Sequence, residues 1–207
     1  MKKNPNLKVL LSICIPTWNR HQFLDKCLNS IRKNILELDY DQSLIEILIF
    51  NNKSTDNTEK IINKYKSLIP QIKSITNKYN IGADLNISNC YDKAIGEFIW
   101  TLGDDDQVIP GTFNYVLKMI KNNLINKNIG VIYVKPFSYN DIEISPPPSS
   151  KRIKIMSSDK ILSKLNVKLT FISSLIIRSS KTKNSLIYAS SNLVQFNLVV
   201  DLLNKYN

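Results

Sequence analysis

Two hydrophobic rhythms alternate along the first 135 residues. Short, nearly continuous apolar runs occupy 9–15, 44–50, 72–75, 98–102 and 131–134. Their length and continuity predict strands buried on both faces. Between them, apolar residues recur at helical spacing: Phe23, Leu24, Cys27, Leu28 and Ile31, then Ile61, Ile62, Tyr65 and Leu68, then Phe113, Val116, Leu117, Ile120 and Leu124. A further helix is expected over 84–95, and Asp56 with Glu59 resembles a capping box ahead of the second helix. Strands separated by helices argue for right-handed crossovers and a mostly parallel α/β sheet flanked by helices. The pattern breaks at 137–151, where Ser145-Pro146-Pro147-Pro148-Ser149-Ser150 can form neither a helix nor a central strand and reads as a flexible loop. Beyond it, 169–177 reads as a strand and 192–204 as an amphipathic helix. The 207 residues suit one domain, 1–207, with a ligand-binding part (1–136), the loop (137–151) and a basic part (152–207).

Composition narrows the class. At 43% apolar residues the chain can bury a core. No apolar run approaches the roughly 20 residues of a spanning helix. The opening Met1-Lys2-Lys3 with Val9-Leu10-Leu11 faintly resembles a signal peptide. However, the apolar stretch ends at Pro16-Thr17-Trp18-Asn19-Arg20 without a small-residue cleavage site, so it reads as a strand. Three widely spaced cysteines form neither a disulfide framework nor a zinc pattern, which fits a reducing cytoplasm. His21 is the only histidine and has no evident orienting partner, which disfavours Ser-His-Asp and Cys-His catalysis.

The formal charge of +11 is uneven. Residues 1–143 carry 18 basic and 15 acidic side chains, whereas 144–207 carry 10 basic side chains and only Asp159 and Asp201. Nucleotide bias in the genome would produce the same Lys, Asn and Ile enrichment. The functional readings are an anionic substrate, a membrane surface or nucleic acid. No recognised nucleic-acid module is present, so nucleic acid is not expected as a partner.

In an open parallel sheet, ligands bind beyond the carboxyl ends of the strands. Three polar clusters follow strands: Pro16-Thr17-Trp18-Asn19-Arg20, Asn51-Asn52-Lys53-Ser54-Thr55-Asp56 and Gly103-Asp104-Asp105-Asp106. They should meet at one rim. Three consecutive carboxylates repel one another, and a divalent cation would offset that repulsion. Oxygen ligands suit Mn²⁺ or Mg²⁺ bridging carboxylates to substrate phosphates. Alone, such a triplet reads as a solvated acidic turn. Its place directly after an apolar strand, ahead of Pro110-Gly111 and a helix, favours the metal. Only five glycines occur, none before Gly82, so neither a phosphate loop nor a dinucleotide fingerprint is present.

These stretches carry a family resemblance. The segments 11–20, 49–58, Asn80-Ile81-Gly82 and 94–106, in this order and spacing, resemble the family 2 glycosyltransferases, which have the GT-A fold. The Gly-Asp-Asp-Asp form is most similar to the abequosyltransferase-like branch that builds bacterial surface polysaccharide. The resemblance implies a nucleotide-sugar-binding part over 1–136, with Thr17, Asn19, Arg20, Asn51, Asn80, Gly82 and Asp104 in the nucleotide pocket. Asn51 stands where the family usually has an Asp that reads the base. Asp105 and Asp106 would hold Mn²⁺ or Mg²⁺, with Gly103 replacing the first Asp of the D-x-D signature. The implied reaction transfers a sugar, with inversion, from a nucleotide diphosphate donor to a hydroxyl of a glycan or polyprenyl-diphosphate-linked acceptor. The protein would then be cytoplasmic, its basic part meeting an anionic membrane surface at the inner face. The family's general base, an Asp, falls near Gln195, which leaves Asp201 as the candidate. A degenerate or truncated nucleotide-sugar-binding module without transferase activity is the alternative.

Overall fold

A computed structural model describes residues 8–124, 129–136, 170–182 and 185–205, with Lys160 and Lys168 as isolated positions. The loop at 137–151, Asp159 and most of 152–169 lie outside the described residues. The elements are β1 (Leu11–Thr17), α1 (His21–Leu36), β2 (Ile45–Asn51), α2 (Thr58–Leu68), β3 (Ile72–Thr76), α3 (Ala83–Lys93), β4 (Phe98–Thr101), α4 (Thr112–Leu124), β5 (Val131–Tyr133), β6 (Leu175–Arg178) and α5 (Val194–Lys205).

They form one six-stranded sheet in the order β3-β2-β1-β4-β6-β5. The pairs β1–β2, β1–β4 and β2–β3 are parallel, and β6 runs antiparallel between β4 and β5. The mostly parallel α/β sheet expected from the hydrophobic rhythm is therefore present.

All seven residues of β2 are buried because helices cover both faces. Successive side chains alternate between those faces. Ile13, Ile15, Ile47, Ile49, Phe98, Trp100 and Ile176 pack with the helical residues Leu24, Leu28, Ile31, Ile62 and Phe113. Cys14, Leu48, Phe50, Ile99 and Ile177 pack with Cys90, Tyr91, Leu198 and Val199 from α3 and α5. The apolar stripes recognised in the sequence are thus the faces that meet the sheet.

Two local expectations are corrected. The run 169–177 is a strand only at its end. Ile172–Ser174 is a 3₁₀ turn, closed by the Ser174 amide on the Phe171 carbonyl, and β6 begins at Leu175. The cause is Ser173, whose hydroxyl is drawn to the β4 end described below. The capping box does not form either. Asn57 is the residue that caps α2, without a side-chain bond, while Glu59 accepts from the Asn51 amide instead.

Candidate active site

Parallel register places the strand ends side by side: Thr17 lies opposite Asn51, and Asn51 opposite Thr76. The loop after β1 then turns through Asn19, whose φ of 53° is unusual for a residue with a side chain. The loop after β2 holds that turn. The Asn19 amide donates to Ser54 Oγ at 2.9 Å, and the Thr55 amide donates to Asn19 Oδ1 at 2.7 Å. The first residue of α1 is secured by the same loop. Asp56 Oδ2 accepts from the His21 backbone amide and lies 2.8 Å from His21 Nδ1. His21 therefore has the orienting partner that the sequence did not disclose.

The loop after β4 meets the loop after β1. Thr17 Oγ1 donates to Asp104 Oδ2 at 2.7 Å, and Asp104 is buried at 3% exposure. Arg20 reaches across the same gap. Its Nη2 donates to Asp105 Oδ2 at 2.8 Å, and its Nη1 lies 3.4 Å from Asp104 Oδ1. Burial pushes the Asp104 carboxyl above the ordinary carboxylate range. The Thr17 hydrogen bond and the Arg20 charge oppose that shift, while the neighbouring Asp105 charge reinforces it. Arg20 itself loses some hydration, but the Asp105 hydrogen bond and the three Asp charges outweigh that loss and raise its pKa. Beneath the loop, burial and the same charges push the Cys27 thiol up, so it stays neutral.

Gly103 leaves room beside two carboxylates. A Cβ at this position would lie 2.9 Å from Asp105 Oδ1, 3.1 Å from Asp106 Oδ2 and 3.4 Å from Ser173 Oγ. The space left by the missing side chain is a cradle lined by carboxylate and hydroxyl oxygens. Ser173 closes its far side, accepting from the Gly103 amide at 2.8 Å and donating to Asp106 Oδ2. An all-oxygen donor set of this kind fits Mn²⁺ or Mg²⁺. Among the described residues no group of three or more His, Cys, Asp or Glu side chains could hold an ion.

A network of asparagine side chains shapes the opposite wall. The Asn52 amide nitrogen donates to Asn80 Oδ1 at 2.7 Å and to the Gly82 carbonyl at 3.2 Å. Its oxygen accepts from Asn77 Nδ2 and the Ile81 amide. Asn77 also donates to Asn86, which donates to the Phe50 carbonyl at the end of β2. Gly82, with φ 86°, then turns the chain into α3. Asn51 is buried at 1% exposure, its oxygen accepting from the Ser54 amide and its nitrogen donating to Glu59.

Thr17, Asn19, Arg20 and Asp104–Asp106 are therefore in mutual contact or linked through loop 51–56, and Asn51, Asn80 and Gly82 flank them. Asp201 is not brought in. It lies on α5, where its Oδ2 accepts from the Tyr188 hydroxyl. Gln195, near which the family's Asp was expected, is buried and donates to the Thr170 carbonyl at 2.8 Å. The start of α5 abuts the start of α3, with the Asn192 amide donating to Asp84 Oδ2 at 2.7 Å. Sequence reasoning missed Asn52, Asn77, Asn86 and Ser173. Asn52 and Asn77 lie in loops, Ser173 in a 3₁₀ turn and Asn86 on the buried face of α3, and no local pattern encodes which of their side chains meet.

Residues 12–178 match the family described as Glycosyl transferase family 2. The abequosyltransferase RfbV of Salmonella typhimurium is 39% identical over 100 residues, 47% of this chain and 28% of that protein. The GalNAc(5)-diNAcBac-PP-undecaprenol beta-1,3-glucosyltransferase of Campylobacter jejuni is 30% identical over 109 residues, 52% of this chain and 33% of that protein. The chain thus spans a third or less of the length of these two relatives. Among solved structures, S. aureus TarS 1-349 superposes with a TM-score of 0.71 at 19% identity, covering 92% of this chain and 55% of that one. The same protein in complex with UDP-GlcNAc superposes with a TM-score of 0.67 at 21% identity, covering 86% and 48%. The sheet, with its antiparallel β6, is the GT-A fold, and the chain belongs to glycosyl transferase family 2.

Proposed function

We propose that this chain is the donor-binding and catalytic part of a metal-dependent, inverting glycosyltransferase. It moves a sugar from a nucleotide diphosphate to a hydroxyl of a glycan or polyprenyl-diphosphate-linked acceptor in bacterial surface-polysaccharide synthesis. One observation carries this reading: the Thr17–Asp104 hydrogen bond sets the buried first Asp of the triplet, so that Asp105 and Asp106 converge over Gly103 at the sheet's carboxyl rim. The names of the two bacterial relatives support the assignment to surface-glycan synthesis, and one of them names an undecaprenol diphosphate carrier.

In this reading Thr17, Asn19, Arg20, Asn80, Gly82 and Asp104 surround the nucleotide. Asn51 acts by holding loop 51–54, because both ends of its amide are engaged within the protein. Asp105 and Asp106 would hold Mn²⁺ or Mg²⁺, which when bound neutralises the diphosphate leaving group. Asp201, held by the Tyr188 hydroxyl on α5 apart from this cluster, would serve as general base to an acceptor that reaches from the rim to α5. Among the described residues no helix is long and apolar enough to cross a membrane. Contact with the inner membrane face would rest on the basic residues after 143.

The test is a thermal-shift screen with Mn²⁺ across UDP-, GDP-, CDP- and dTDP-sugars, since ligands that bind only the folded state raise Tm. One donor class should raise Tm, and Asp105→Ala should abolish the Mn²⁺-dependent part of the rise. A full shift in that variant overturns the metal assignment. A second reading, donor binding without transfer, is favoured by the buried, amide-bearing Gln195 near the place where the resemblance puts the base. Turnover with any glycan or lipid-linked acceptor rejects it.

A further inference from the structure

We infer that Arg20 is a resident counter-ion of the carboxylate triplet, which leaves Asp105 when the divalent cation enters and then faces the donor's phosphates. This rests on the metal-dependent reading above and adds to it the state of the site before loading. Two geometric facts carry it. Asp105 is divided between two tasks: Oδ2 accepts from Arg20 Nη2 at 2.8 Å, while Oδ1 faces the cradle over Gly103. Arg20 spans two of the three carboxylates, with Nη1 3.4 Å from Asp104 Oδ1. A guanidinium in this position supplies the positive charge that three adjacent carboxylates need. Its charge lies on the same carboxylate that a metal would use, and like charges on one carboxylate repel, so the two cations compete.

The pairing is built to be exchangeable. The Arg20 and Asp105 side chains are 42% and 49% exposed. Water screens an ion pair of this kind, and its net strength is small. By contrast, Asp104 is buried and also held by Thr17, so it stays in place when the arginine leaves. The Arg20 guanidinium lies 4.9 Å from the centroid of the half-exposed Phe23 ring, an apolar platform that holds it at the rim. Its backbone sits immediately ahead of α1. Once released from Asp105, the planar fork remains at that rim, and its geometry matches phosphate oxygens in pairs.

The experiment measures Mn²⁺ affinity without nucleotide, by calorimetry or electron paramagnetic resonance, for the wild type, Arg20→Gln, Arg20→Lys and Asp105→Asn. Arg20→Gln should bind Mn²⁺ about two- to five-fold more tightly than wild type, the span expected for removing a competing exposed ion pair. With saturating Mn²⁺ it should bind UDP about three- to ten-fold more weakly, through loss of a charge-assisted hydrogen bond to phosphate. Arg20→Lys should keep most of the competition. In the wild type, the Arg20 Nε–H resonance should move during a Mg²⁺ titration with the midpoint of Mg²⁺ binding, a readout that needs no variant. Equal or weaker Mn²⁺ binding by Arg20→Gln, or an Arg20 resonance indifferent to Mg²⁺, overturns the exchange. If Asp105→Asn abolishes Mn²⁺ binding in that event, the metal reading survives. If Asp105→Asn binds Mn²⁺ as the wild type does, the metal reading falls and the exchange with it.

Discussion

Asp56 shows how much a single side chain can hold here. Desolvation works to raise its pKa, but hydrogen bonds from Thr58 and His21 outweigh it and keep the carboxyl well below the ordinary range. A depressed pKa in the folded state contributes stability above the unfolded pKa, near 4, and that contribution disappears as pH falls through the folded value. Thermal unfolding of Asp56→Asn should therefore lie below wild type at pH 7, with the gap narrowing progressively as pH falls below about 4. A constant gap across that range would refute the charge-based account. At this scale the sequence was most legible where chemistry followed a strand directly. Thr17, Asn19 and Asp104–Asp106 could be placed because the end of a buried strand points to the rim. His21 and Asp56, 35 residues apart, could not be paired, because no local pattern encodes which two loops touch.

Between elements, the asparagine network is the joint that fixes the wall opposite the carboxylates. Asn52 alone makes four hydrogen bonds to segment 77–82. Asn52→Ala should cost about 1–3 kcal/mol, through buried groups left unsatisfied. Hydrogen exchange should quicken at Ile81 and Gly82 while the core strands stay protected, and unchanged exchange there would show that the loop holds its own shape. The strands and helices were readable because their faces repeat at fixed periods. The network was not readable, since asparagines serve turns, caps and surfaces alike. The segment before β6 misled for a related reason: Phe171-Ile172 continues an apolar run, yet Ser173 turns aside to bond Gly103. Hydrophobic patterning reports burial and carries no information about a hydroxyl drawn to a partner 70 residues away.

At the scale of the molecule, the proposed donor site and the proposed base lie on different elements. The proposed donor residues lie along one rim, whereas Asp201 is held by Tyr188 on α5. Asp201→Asn should leave Mn²⁺ and nucleotide affinity within about two-fold of wild type. It should slow transfer by 10²–10⁴-fold, the range for loss of a general base. Full turnover in that variant removes Asp201 from the mechanism. The position of β6 has a further consequence, for biosynthesis. Strand β4 and the Gly103–Asp106 loop leave the ribosome long before Ser173, yet Ser173 braces that loop and β6 fills the gap between β4 and β5. Pairings this distant along the chain close late. During vectorial synthesis the nascent chain therefore carries an acidic loop without its brace and a β4 edge without a neighbour. Both are completed only when β6 arrives, so a ribosome pausing before residue 178 would hold an exposed sheet edge open to misassociation.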